Sequence, residues 1–197
     1  MDDLQAELAA TAARLVVEEG LDYGAAKRRS IRQLGLPART ALPDNERVED
    51  AVREYIALFC ADTQAAELRV LRQTALVWMQ RLAEFRPHLA GAVWRGTATR
   101  LSPIHLQLFC DDPKSAELAL INQGVRYEVG SVQGFQGDTV DALSISVRVP
   151  QWADSALLLL MIYDHDDLRG ALKPDARGRT LRGTTEAVKR LLDEVQS

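Results

Sequence analysis

FRPHLAGAVWRGTATRLSPIHLQLFCDD, residues 85–112, is the stretch where the chain changes its hydrophobic period, and that change decides the fold class. Before Pro87 the apolar positions recur every three to four residues. After it, Ile104, Leu106, Leu108 and Cys110 alternate with His105, Gln107 and Phe109, the period of two expected of a strand. A shorter apolar run, Gly91 to Trp94, reads as a strand leading into Gly96-Thr97.

Working upstream, helices are predicted at about 2–19, 22–34, 45–60 and 63–86. The last is the most regular, because Leu68, Leu71, Ala75, Trp78, Leu82 and Phe85 share one face and Pro87 ends the run. Val48, Val52, Tyr55, Ile56 and Phe59 form a similar stripe on the third helix, opened by Asp44 or Asn45 as a cap. The two stripes are expected to pack on each other or on the following sheet.

Downstream, Asp112 as cap, Pro113 at the first helical position and Gly124 as stop bracket one helix. Strands are predicted at Val125 to Val129 and at 141–149, where Leu143, Ile145, Val147 and Val149 alternate with polar neighbours. The unbroken apolar run Ala156 to Tyr163 predicts a central strand, buried on both faces and paired with 141–149 through the turn at 150–154. A final helix is predicted from about Thr184 to Val195. The result is an α+β fold, divided into a helical N-terminal region at 1–62 and a core at 63–197 that together form one compact unit. Gln133 to Thr139 and Arg169 to Gly183 read as mobile polar loops.

The chain has 197 residues, 24 Lys+Arg against 28 Asp+Glu, a net charge of -4 and 47% apolar residues, which excludes a disordered chain and a surface basic all over. The apolar run at 156–163 is too short to cross a bilayer, so no membrane role is expected. The start, MDDLQAELAA, is acidic where a leader would be basic, and Cys60 and Cys110 read as small buried hydrophobes, so the expected location is the cytoplasm.

The layout of 85–112 resembles the core motif of the DNA polymerase beta-like nucleotidyltransferase superfamily: a helix, a short strand, Gly-Ser, a turn, then a strand opening on Ser-Asp-x-Asp. Here Gly96-Thr97 stands at Gly-Ser, and Ser102-Pro103-Ile104-His105 opens the strand. The resemblance covers roughly 63–165 and implies a mixed sheet of nucleotidyltransferase-like topology. In that family two carboxylates at i and i+2 point to one face and hold divalent ions across a triphosphate. This chain has Pro103 and His105 there. Proline offers no ligand oxygen and imidazole suits magnesium poorly. The implied protein is a degenerate family member with no catalytic residues, needing no cofactor. It would bind a nucleotide or other phosphate ligand in a vestigial cleft at Arg95, Gly96, Thr97, Arg100, Ser102 and His105.

Two alternatives stand beside this reading. An active magnesium-dependent transferase would rebuild its site from Asp111, Asp112, Glu128 or Asp141, and a metal set of Asp111, Asp112, Asp164 and Asp166 could gather where two strands end. Those aspartates equally suit helix caps. Otherwise the amphipathic N-terminal helices would serve as a homodimer or protein-partner surface with no ligand. Lys27, Arg28, Arg29 and Arg32 form a basic run without interleaved aromatics, which reads as a solvated helix face and argues against nucleic acid. Arg169, Lys173, Arg177, Arg179 and Arg182 read as a solvated basic loop. No nucleophile motif is present: Ser131 lacks a glycine two residues before it.

Overall fold

The computed structural model describes residues 2–194. Four helices come first: α1 Asp2–Glu19, α2 Tyr23–Gln33, α3 Asn45–Phe59 and α4 Gln64–Arg81. A 3-10 turn follows at Ala83–Phe85, then β1 His88–Ala90, α5 Gly91–Arg95, β2 Ile104–Cys110, α6 Pro113–Asn122, β3 Glu128–Gln133, β4 Thr139–Arg148 and β5 Ser155–Asp164. The chain closes with a 3-10 turn at His165–Asp167, α7 Leu168–Ala171, β6 Arg182–Gly183 and α8 Thr185–Glu194.

These elements group into two compact units: Met1–Leu68 with Thr97–Ser102, and Arg69–Gly96 with Pro103–Ser197. In the helical unit the α3 stripe packs on α1, with Val48, Val52 and Ile56 against Ala9, Ala12, Leu15 and Val16. The α3 stripe, expected on the fourth helix or on the sheet, is thus covered by α1. Asp44 caps α3 through a 2.7 Å bond to the Arg47 N–H, satisfying one donor that the first turn leaves free.

The second unit holds a six-stranded mixed sheet of order β3-β4-β5-β2-β1-β6. β2 runs parallel to β5, and every other pairing is antiparallel. As the sequence predicts, β5 is interior in the sheet and pairs with β4 through the turn at 150–154, but its first half is not buried on both faces, since Leu157 is 49% exposed. The α+β class with a mixed sheet is therefore observed.

Two predicted strands are corrected. Gly91 to Trp94 is helix, and the strand before it is His88–Ala90. Gly91 takes φ +69, turning the chain out of the ladder, and Gly96 at φ +83 ends the helical turn by donating its N–H to Ala92 O. The third strand starts at Glu128 rather than Val125, because the Val125 N–H donates to Leu120 O around left-handed Gly124 and so completes the end of α6. The fourth helix likewise stops at Arg81, with the predicted remainder taken up by the 3-10 turn.

Candidate functional site

β2 has two unlike faces. Ile104, Leu106, Leu108 and Cys110 are buried on one; His105, Gln107 and Phe109 lie on the other, where the transferase-like carboxylates would stand. Register fixes the neighbours of that second face. His105 stands opposite Ala90 of β1 and Leu159 of β5, and Ala90 stands opposite Arg182 of β6. One row along, Gln107 stands between His88 and Met161.

Arg182 is 7% exposed, although the sequence places it in a solvated loop. That expectation fails because β6 pairs with β1 and draws the side chain over the sheet. Its guanidinium carbon sits 4.6 Å from the Phe135 ring centroid, a cation–π contact. Nε is buried and has no hydrogen-bond partner, and no carboxylate pairs with the group among the described residues. Burial pulls the Arg182 guanidinium below its ordinary value. Gln107, 4% exposed, has an equally orphaned Oε1. Arg182 Nε and Gln107 Oε1 thus leave one donor and one acceptor unmet on this side of the sheet.

Two titratable rings, His88 and Tyr163, lie near this arginine. Burial, with the Arg182 charge adding to it, pulls the His88 imidazole down, against a 2.8 Å bond between its Nδ1 and Arg86 O. Burial pushes the Tyr163 phenol up. Tyr163 lies between Phe109 and Phe135, at centroid distances of 5.4 and 4.8 Å, and Val140, Met161 and Ala171 complete the packing. Phe135 belongs to the segment 133–139 that the sequence reads as a mobile loop; its ring is part of this cluster instead.

The six residues of the expected cleft divide between the two units. Arg95, Gly96 and His105 belong to the sheet unit, all half-buried, and a Cβ added to Gly91 would lie 2.7 Å from His105 Nδ1. Gly96 owes its conformation to the end of α5. Thr97, Arg100 and Ser102 belong to the helical unit. There Ser102 Oγ accepts from the Thr99 N–H at 3.0 Å, a turn contact, and the Arg100 N–H donates to Glu67 at 2.8 Å. Thr97 is 2% exposed, and its hydroxyl has no partner.

The acidic candidates are exposed. Asp112 caps α6 by accepting from the Lys114 N–H, and Asp164 accepts from the Asp166 N–H, so both serve local turns. Asp111, Asp166, Glu128 and Asp141 lie at the surface. Among the described residues no three His, Cys, Asp or Glu side chains gather into a set able to hold a metal ion. His105 and Gln107 of β2 and Arg182 of β6 do not fit magnesium either: they offer imidazole, a carboxamide and a guanidinium where hard anionic oxygens are needed. In the basic segment, Asp175 accepts from the Arg179 N–H and Nε and from the Arg177 N–H, contacts that hold its carboxyl below the usual range. Cys110 is buried as expected, whereas Cys60 is half-buried. No helix among the described residues is long and apolar enough to cross a membrane.

No protein-family model matches this sequence, and the search of curated proteins finds no match. Among solved structures the chain is similar to Cid1 poly(U) polymerase in three complexes. With MgGTP bound the TM-score is 0.35 at 12% identity, over 56% of this chain and 38% of that one. With the short product ApU it is 0.37 at 13%, over 58% and 38%. With the UTP analog UMPNPP it is 0.36 at 12%, over 73% and 41%. The chain thus spans about two fifths of the length of those chains.

Proposed function

We propose that this chain is a nucleotidyltransferase-like protein that binds a nucleotide or other phosphate-bearing small molecule without a divalent ion and without catalysing transfer. The observation that carries the reading is Arg182, a buried arginine whose Nε has no hydrogen-bond partner and whose guanidinium lies against Phe135, on the side of the sheet that carries His88, His105 and Gln107. A guanidinium supplies in-plane N–H donors and a fixed charge to a phosphate oxygen, which is the neutralisation that magnesium otherwise provides. Gln107 can take part as a neutral hydrogen-bonding group. Arg95, Gly96 and His105, near the start of β2, are the proposed contacts for the rest of the ligand.

In this reading His88 is tied to the Arg86 carbonyl through Nδ1 and Tyr163 is a buried phenol, and neither is assigned a role in transfer. Binding and orientation are the chemistry these residues supply.

The test is calorimetric titration of nucleoside triphosphates with magnesium and then with chelator, with chromatography of the products. Binding that survives chelation, with the triphosphate recovered intact, is expected. Magnesium-dependent product formation would overturn the non-catalytic reading.

A further inference from the structure

α2 carries four cationic side chains, and the structure sorts them into two pairs. Lys27 Nζ donates to Pro43 O at 3.1 Å and to Asn45 Oδ1 at 2.8 Å, and Arg29 forms a 2.5 Å ion pair with Glu19. The side chains of Arg28 and Arg32 have no hydrogen bond or ion pair among the described residues, and Arg39 in the following loop has none either. All three line one cavity of about 440 Å3, together with Ile31, Leu36 and Leu42.

The turn after α2 explains this convergence. Gly35 is left-handed at φ +65, and the Leu36 N–H donates back to Ile31 O at 3.0 Å, so the chain reverses at once. Thr40 N–H then bonds to Pro37 O at 2.9 Å, and the loop returns Arg39 to the wall that α2 has begun. No carboxylate lines the cavity among the described residues. The flanking acidic residues, Asp22 and Asp44, accept from the Ala25 N–H at 2.8 Å and the Arg47 N–H at 2.7 Å as the caps of α2 and α3.

The geometry points to a binding site here for a small molecule that joins a diphosphate to an apolar or planar body. Three guanidiniums with no internal acceptor match the charge of a diphosphate and can grip its oxygens in pairs. Ile31, Leu36 and Leu42 give the body an apolar wall; Ile31 is 5% exposed and Leu42 42%, so the wall runs from the interior out to the rim. The volume lies within the roughly 300–1,000 Å3 usual for small-molecule sites. This site belongs to the helical unit and does not rest on the reading of the sheet unit.

The test is titration of the full chain with ADP and with inorganic pyrophosphate in chelator. ADP is expected to bind, and pyrophosphate, lacking the body, to bind more weakly. Arg32→Glu and Arg39→Glu are exposed changes whose fold can be checked by circular dichroism; each should weaken ADP by at least about tenfold. Arg126→Glu should leave a binding event at this site intact. Unchanged ADP affinity in both the Arg32 and Arg39 variants overturns the proposal, as does absence of binding by ADP and pyrophosphate alike. Loss of ADP binding in Arg182→Gln alone also overturns it, while leaving the sheet-unit reading standing.

Discussion

Arg72 and Arg182 are both buried in the sheet unit, at 9% and 7% exposure, yet they meet opposite surroundings. Arg72 projects from the otherwise apolar stripe of α4 and donates from Nε to Val93 O and from Nη2 to Trp94 O, each at 3.1 Å. Those carbonyls belong to the last residues of the short helix α5, which cannot satisfy them internally. Arg182 has a ring beneath it and no acceptor for its Nε. Burial lowers both groups for the same reason, the loss of hydration around a charge. The difference teaches that burial alone does not mark a functional arginine; what matters is whether the fold itself supplies the acceptors.

The largest effect should come from breaking the satisfied arginine. Arg72→Met strands two helix-end carbonyls and should cost about 3 kcal/mol, read as a fall in the denaturant midpoint. Arg182→Met should move stability the other way, by about 1–2 kcal/mol, because an unpaired buried charge is replaced by an apolar chain of similar reach. The same change should abolish metal-independent phosphate binding. If both substitutions destabilise equally, the contrast between the two arginines is wrong.

Smaller effects sharpen the picture around it. Asp112→Ala should cost about 1 kcal/mol as a lost helix cap and should leave any response to magnesium unchanged. His88, whose imidazole is held below its ordinary value, contributes stability that is present above about pH 6.5 and is lost as pH falls through its depressed folded value. His88→Gln should therefore flatten the acid side of the melting-temperature profile, and a steeper slope would show that the folded protein favours the charged ring.

Much of this fold is legible in the sequence, because the stripes of the third and fourth helices and the alternation of β2 and β4 carry clear periods, and the unbroken apolar run of β5 marks an interior strand. The errors fall where a local bond overrides the period. Gly91 to Trp94 is apolar enough for a strand, but four residues are too few to separate strand from helix, and the left-handed glycines at 91 and 96 settle the matter in favour of a helical turn. Arg182 was hidden for a different reason. β6 is two residues long, so no alternation announces it, and only its pairing with β1 buries the side chain. The arginines of α2 are visible in the sequence as a cluster; which are neutralised depends on Glu19, Pro43 and Asn45, and the third member, Arg39, arrives through a turn. The arginine singled out on that side of the sheet lies outside the motif on which the resemblance rests.

The central claim is that a protein cation, in place of metal ions, organises a phosphate site on the sheet. Its most direct test is calorimetric titration of ATP in chelator, made in an Arg32→Glu background that disables the cavity of the helical unit, with Arg182 either intact or replaced by Gln. The account predicts binding with Arg182 present and at least about a tenfold loss with Gln. Equal affinities, or binding that appears only when magnesium is restored, would contradict it.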